Sequence, residues 1–290
     1  MLHDGTARRA IGVTRRYGAT VALDGVDLDV PAGSLTGLLG LNGAGKSTLL
    51  NLLVGLRRPD AGQVELFGGS PRDAARRRAL GLTPQDTGLP AAEVLGFVAR
   101  HYRAPLPAAE VLERFGLTGL ERRQTGRLSG GQRRRLAVAF VGKPRLVVLD
   151  EPTTGLDVEA RRALWDGVRA FHADGGTVLL TSHYLEEIEQ LAQRVVVIGA
   201  GRILADGDLD QVRGVVALTM VSLRTPELPP LAGIGRVVRT GDRYELHTSD
   251  ADRLVHDLVH SGVPFSDLQV RPASLEEAFL SLTTPEGANR

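Results

Sequence analysis

The sequence predicts an α/β protein: a parallel-sheet core with an N-terminal antiparallel β subdomain and a helical insert, followed by a small C-terminal α+β module. Three stretches carry that expectation. Gly40-Leu41-Asn42-Gly43-Ala44-Gly45-Lys46-Ser47 lies between an apolar run at residues 35–39 and a helical pattern at 48–56, the order strand, glycine loop, helix. Leu146-Val147-Val148-Leu149 is continuously apolar, as a strand buried on both faces of a parallel sheet must be, and it ends in Asp150-Glu151. After Gly214 the composition shifts, with shorter strand-like stretches around a loop containing Pro226, Pro229 and Pro230. The expected layout is a main domain at 8–214 with its insert at about 86–145, a module at 215–284, and a disordered tail at 285–290.

Bulk composition bounds the function. With 290 residues and 42% hydrophobic content, the chain has room for one large or two modest domains with a sizeable core. A net charge of +1 gives no sign of a strongly basic nucleic-acid surface. The lack of cysteine excludes disulfides and thiolate zinc sites, and suits a reducing cytosol. Residues 1–10 lack the apolar centre of a secretory signal. No stretch reaches the about 20 consecutive apolar residues that span a bilayer, so a membrane role is expected to run through a partner.

Taken in order, residues 11–30 read as two strands around Tyr17-Gly18-Ala19, with Leu28, Val30 and Leu35 at alternating spacing. In the glycine loop, successive N–H groups are free to turn toward an anion, Lys46 reaches β- and γ-phosphates, and the Ser47 hydroxyl is offered to Mg²⁺. The bland alternative is a glycine-rich turn with no ligand. Lysine usage argues against it: of 35 basic residues only Lys46 and Lys143 are lysines. A compact ammonium fits between phosphates where a planar guanidinium does not. Residues 62–69 form another short strand, and 72–80 a short basic helix whose Arg76-Arg77-Arg78 run reads as a solvated face. A short strand then ends in the polar turn Gly81-Leu82-Thr83-Pro84-Gln85-Asp86. Helical spacing at 91–102 and 108–115, broken by Pro105 and Pro107, makes the insert.

Leu128-Ser129-Gly130-Gly131-Gln132 opens a helix at 133–141. Ser129 is a plausible N-cap and the glycines expose N–H groups at a positive helix end, so the stretch reads either as a capped helix start or as an anion site. Ligand sites in open α/β sheets form at the carboxyl ends of strands, where Asp150 and Glu151 stand. A bound Mg²⁺ accounts for the first carboxylate and a positioned water for the second. A helix at 158–173 precedes a strand at 177–181 that ends in Ser182-His183. That histidine is a packing or capping residue, or part of the site by virtue of sharing Asp150's end of the sheet. Residues 195–198 and 202–205 form a closing hairpin. The module offers short strands within 215–223 and 236–247 with a turn at Gly241-Asp242, an amphipathic helix at 250–260, a strand at 268–271, and a helix at 274–282 with the capping box Ser274 to Glu277. His256 and His260, at i and i+4, read as an exposed helical face rather than a metal pair, since no third ligand lies near them.

The order of these pieces resembles the ATP-binding cassette ATPases, the nucleotide-binding subunits of ABC transporters, over residues 8–212. The resemblance implies a P-loop NTPase fold with a RecA-like parallel sheet, ATP and Mg²⁺ as cofactors, and hydrolysis of ATP to ADP and phosphate. Tyr17 matches the aromatic that stacks on adenine. Gly40, Leu41, Asn42, Gly43, Ala44, Gly45, Lys46, Ser47 and Thr48 match the Walker A loop. Gln85 matches the Q-loop residue that contacts Mg²⁺ beside the membrane partner's coupling helix, so that Ser47, Gln85 and Asp150 make up the implied metal set. Leu128, Ser129, Gly130, Gly131 and Gln132 match the signature motif, which in this family closes over ATP held by another subunit. Glu151 matches the carboxylate that polarises the attacking water, Asp157 the D-loop aspartate, and His183 the switch histidine at the γ-phosphate.

Arg271-Pro272-Ala273-Ser274-Leu275-Glu276-Glu277-Ala278-Phe279-Leu280 is similar to the C-terminal ending of the drug and antibiotic exporter branch, with Ala273 inserted. This branch, similar to daunorubicin-resistance ATPases, pairs with ABC-2 type permeases. The partners implied are such a permease and a second ATPase subunit, identical or different, with no nucleic acid. The implied place is cytoplasmic, at the inner face of the membrane. A soluble ABC ATPase acting on ribosomes or nucleic acid is the rival reading; it would carry two cassettes or long coiled-coil insertions, and neither is present. A P-loop phosphotransferase would leave Leu128 to Gln132 without a purpose.

Overall fold

The computed structural model describes residues 6–82, 100, 105–114, 117–119, 144–215 and 219–283. The chain divides into two compact units, Met1–Leu204 and Ala205–Arg290. In the first, β1 (Thr6–Tyr17) and β2 (Thr20–Pro31) form a hairpin in which Tyr17 pairs with Thr20. Its inward face carries Val13, Leu23, Val26, Leu28 and Val30, all buried. The wholly buried β3 (Leu35–Leu39) leads through the glycine loop into α1 (Lys46–Leu53). β4 (Ala61–Leu66) completes an antiparallel sheet in the order β2-β1-β4. Leu49, Leu50, Leu52 and Leu53 of α1 are buried in the core shared by both sheets. At about 1.5–3 kcal/mol for each, they anchor the helix that follows the loop.

α2 (Ala74–Arg77) is shorter than the basic helix expected over 72–80. Asp73 caps its start by accepting from the Ala75 N–H at 2.9 Å, and β5 (Leu80–Leu82) begins soon after its end. Arg77 and Arg78 are exposed as expected, but Arg76 departs from a solvated face and donates to the carbonyls of Leu66 and Phe67. α3 (Ala108–Arg114) falls where the insert's second helix was expected; the first, at 91–102, lies outside the described residues. Then come β6 (Leu146–Asp150), α4 (Val158–Ala173), β7 (Thr177–Ser182), α5 (Leu185–Leu191), β8 (Arg194–Gly199) and β9 (Arg202–Gly207). The larger sheet runs β5-β6-β7-β3-β8-β9, with its strands from β5 to β8 parallel. α5 has no counterpart in the sequence reading. It is short, its N-cap Tyr184 makes no side-chain capping bond, and its stability rests on packing Ile188 and Leu191, both buried.

The second unit contains α6 (Leu209–Val215), β10 (Thr219–Arg224), β11 (Ile234–Thr240), β12 (Arg243–Thr248), α7 (Ala251–His260), β13 (Ser266–Pro272) and α8 (Leu275–Thr283). Its antiparallel sheet has the order β11-β12-β10-β13. Val221, Leu223, Tyr244, Leu246, Leu254 and Leu258 form its core. The strand expected from residue 215 starts at Thr219, because α6 extends through Val215. α6 packs against α8, so this unit begins ahead of the composition shift at Gly214. On α7 the rings of His256 and His260 stack at 4.0 Å, and His260 Nδ1 is spent on the His256 carbonyl at 2.9 Å. That arrangement suits an exposed helical face.

The capping box forms reciprocally: the Glu277 N–H donates to Ser274 Oγ at 3.2 Å, and the Ser274 N–H donates to Glu277 Oε2 at 2.6 Å. Arg271 adds a bidentate pair, at 2.8 and 3.0 Å to the two carboxylate oxygens, which ties the end of β13 to the start of α8. Burial pushes the Glu277 carboxyl up, but the bonds from Arg271 and Ser274 outweigh it and hold the group at about 2 instead of 4.5. Because the folded value lies below the unfolded one, this stabilisation is complete above pH 4.5 and is lost as pH falls toward 2. Glu277→Gln is therefore expected to destabilise the chain by about 1–3 kcal/mol at neutral pH. Thermal unfolding of both proteins at falling pH should show the gap closing over that window; a constant gap would count against the pairing.

Candidate functional site

In the larger sheet β3 and β6 flank β7, with Leu39 opposite Ser182 and Asp150 opposite Thr181. The glycine loop, Asp150-Glu151 and Ser182-His183 thus leave the sheet at one edge. The loop is wedged there. A Cβ on Gly45, which has φ +107°, would lie 2.6 Å from the Ala22 carbonyl oxygen, and one on Gly40 would lie 2.6 Å from that of Ile198. Only glycine allows the loop to sit this close to β2 and β8. Leu41, Asn42 and Gly43 crown the loop and are exposed, with Ala44 buried beneath them.

Two features of the loop point to an anion. α1 has neither a side-chain cap nor an acidic residue in its first turn, so its leading N–H groups and positive end are left for another group. Lys46 is only 5% exposed. Its ammonium donates to the Gly40 carbonyl at 2.7 Å and the Leu41 carbonyl at 3.2 Å, and stands 3.5 Å from Glu151 Oε1. Phosphate oxygens match that donor set. Beside it, the exposed Ser47 hydroxyl and the Asp150 carboxylate are hard oxygen donors of the kind Mg²⁺ takes, with phosphates completing its shell. Among the described residues no three His, Asp or Glu groups form a metal cage.

Glu151 is the conformational outlier of the site. At φ +46° it occupies the left-handed region, at a cost of about 1–3 kcal/mol for a residue other than glycine. Thr181 holds it there: the Glu151 N–H is within bonding distance of the Thr181 carbonyl at 3.2 Å and its hydroxyl at 3.0 Å. The same hydroxyl donates to Asp150 Oδ1 at 2.6 Å. The Glu151 carboxylate is thereby placed between Lys46 and His183, with Oε1 3.5 Å from the ammonium and Oε2 3.1 Å from His183 Nδ1. The His183 ring leans on Tyr184 with centroids 4.1 Å apart.

Asp157 caps α4, accepting from the Ala160 N–H at 2.7 Å, and remains exposed. Tyr17 stands 42% exposed at the turn of the hairpin whose Ala22 and Leu23 brace the loop, with the Arg15 guanidinium 4.9 Å from its ring centre. Gln85 and Leu128, Ser129, Gly130, Gly131 and Gln132 lie outside the described residues. Sequence reasoning missed Thr181. The available signal was a pair of polar residues, Thr181-Ser182, closing an otherwise apolar strand at the edge where Asp150 emerges.

Comparison with known proteins adds kinship to this geometry. The profile of the ABC transporter family matches residues 23–154, from β2 through Asp150-Glu151. The chain is 40% identical to the daunorubicin resistance ATP-binding protein DrrA3 of Streptomyces coeruleorubidus, over 96% of this chain and 96% of that protein. It is 36% identical to the Nod factor export ATP-binding protein I of Ralstonia nicotianae, over 95% of this chain and 93% of that one. A solved structure of the ATP binding subunit of an ABC transporter superposes with a TM-score of 0.66 at 28% identity, covering 73% of this chain and 93% of its own.

Proposed function

This chain belongs to the ABC transporter family as an ATP-binding subunit with ATPase activity, and we propose that it powers export of drug-like or other hydrophobic small molecules through a separate ABC-2 type permease. The observation that carries the proposal is the 40% identity to a drug-resistance relative over 96% of the chain, an alignment that necessarily takes in the second unit as well as the nucleotide-binding domain. The relatives' names concern different molecules, daunorubicin resistance in one case and Nod factor export in the other, which fits substrate choice residing in the permease. The rival reading, action on ribosomes or nucleic acid, has no support from a net charge of +1 or from the export relatives. Among the described residues no helix is long and apolar enough to cross a membrane. In this proposal the chain sits on the inner membrane face through the permease, with residues 8–214 as the nucleotide-binding domain and 215–284 as an accessory module.

The site residues take the following parts. Lys46 and the N–H groups from Gly43 to Thr48 bind the phosphates, and Tyr17 stacks on adenine. Ser47, Asp150 and Gln85 hold Mg²⁺, which when bound offsets phosphate charge. Glu151 aligns water for in-line attack on the γ-phosphoryl group, and His183 contacts that group and restrains Glu151. Residues 128–132 of a second subunit close the pocket, and Asp157 lies at the facing edge. ATP then favours the closed pair, and hydrolysis releases it, because a ligand shifts an equilibrium by its differential affinity for the two states. Isolating the tagged chain from its host's membranes in mild detergent should recover a multi-spanning protein in stoichiometric amount. Recovery on ribosomes instead would overturn the export reading.

A further inference from the structure

Glu187, in the first turn of α5, is 1% exposed and belongs to none of the motifs read from the sequence. Its Oε2 accepts from the Thr153 hydroxyl at 3.0 Å, and its Oε1 from Trp165 Nε1 on α4 at 3.4 Å. Ser182 lies against the same carboxyl, and its hydroxyl is tied to the start of α5, donating to the Tyr184 carbonyl at 3.2 Å and accepting from the Tyr184 N–H at 2.9 Å. Burial pushes this carboxyl up, against the pull of Ser182, Thr153, Trp165 and the Arg161 charge. A buried carboxyl is expensive, and an apolar side chain of similar size would serve stability at least as well. Its partners give the reason for keeping it. Thr153 lies in the turn between Glu151 and Asp157, with its carbonyl accepting from Leu156 N–H at 3.0 Å. Ser182 immediately precedes His183. One carboxyl therefore bonds to the turn that follows Glu151 and lies against the residue that precedes His183, the two groups that face each other across 3.1 Å.

We propose that Glu187 is a positioning residue for hydrolysis: through Thr153 and Ser182 it fixes the spacing of Glu151 and His183 and couples movement of one segment to the other. The proposal rests on the roles given above to Glu151 and His183. It makes Glu187 dispensable for binding ATP and necessary for turning it over.

The test compares Glu187→Leu, Glu187→Gln and Thr153→Val in the full chain, measuring kcat, affinity for a fluorescent ATP analogue, and melting temperature. Displacing a reacting group by about 1 Å is worth about 100-fold in rate, so Glu187→Leu should lose about 10- to 100-fold in kcat with affinity unchanged. Glu187→Gln, which keeps the shape of the side chain and a carbonyl oxygen for the Thr153 hydroxyl, should recover most of the rate. Thr153→Val should reproduce the Leu defect and add little to it in the double variant. Wild-type rates in Glu187→Leu and Thr153→Val overturn the proposal. So does a parallel loss of rate, affinity and stability that Gln fails to rescue. If Glu187→Leu does not fold, the nearly isosteric Thr153→Val decides by its kcat alone. Glu151→Gln separates the two levels: if it turns over normally, the roles assigned to the site fall and this proposal with them. If it is inactive while Thr153→Val is not, only the present proposal falls.

Discussion

Glu151→Gln is expected to bind ATP as the wild type does and to lose steady-state hydrolysis by about 10²- to 10⁴-fold, the contribution typical of a positioned proton acceptor. The substitution keeps shape and one hydrogen-bonding oxygen while removing the charge that faces Lys46 at 3.5 Å and His183 at 3.1 Å. The loop, Lys46 and the first turn of α1 are untouched, so ground-state binding survives. If residues 128–132 of a second subunit complete the pocket, ATP that is bound and not hydrolysed has no route to release the pair, and the variant accumulates as a dimer. Size-exclusion chromatography with and without ATP reads the dimer, and single-turnover kinetics reads the rate. Wild-type hydrolysis would remove Glu151 from its assigned place. Loss of ATP binding together with activity would mean that the carboxylate's main task is to hold Lys46.

How much of this was legible beforehand depends on how local the determinant is. β6 opens on four apolar residues in succession, β3 and β7 are mostly apolar and buried throughout, and both the glycine loop and the capping box at Ser274 consist of near neighbours whose spacing dictates their geometry. The site's carboxylates and histidine were equally legible, since strand ends place them. What sequence did not reveal was the set of contacts that hold them. Thr181 and Asp150 are far apart in the chain, and only the parallel register of β6 and β7 sets them opposite one another. Glu187 sits among other acidic residues in a short helix with weak periodicity, where Glu186 and Glu189 are partnered or solvated in ordinary ways. Its burial follows from tertiary packing against α4. The same limit explains the missed helix α5 and the residue on which the second large effect turns.

Arg8→Met is expected to stabilise the protein. Its neighbour Arg9 is half-buried, with its guanidinium 3.7 Å from Asp29. Arg8 is different. It is 1% exposed, lies in register with Val30 and Leu66, and among the described residues none of its three guanidinium nitrogens has a hydrogen-bond partner. Burial pushes its pKa down to about 9, which still leaves it charged at neutral pH. A buried charge with no counterion costs several kcal/mol, and even buried ion pairs replaced by well-packed apolar residues have yielded up to about 1–4 kcal/mol. Methionine keeps the unbranched stem, so little cavity opens beside its register partners Val30 and Leu66. With about 2–4 °C of melting temperature per kcal/mol for a domain of this size, the gain should be several degrees. Arg9→Met should stay within about 0.5 kcal/mol of the wild type, as surface changes do. Since β1 braces the core beneath α1 without contributing a group to the phosphate loop, hydrolysis by Arg8→Met should match the wild type. A lower melting temperature would show that the guanidinium pairs with an anion in the working protein, and would turn Arg8 from a tolerated charge into a contact selected for.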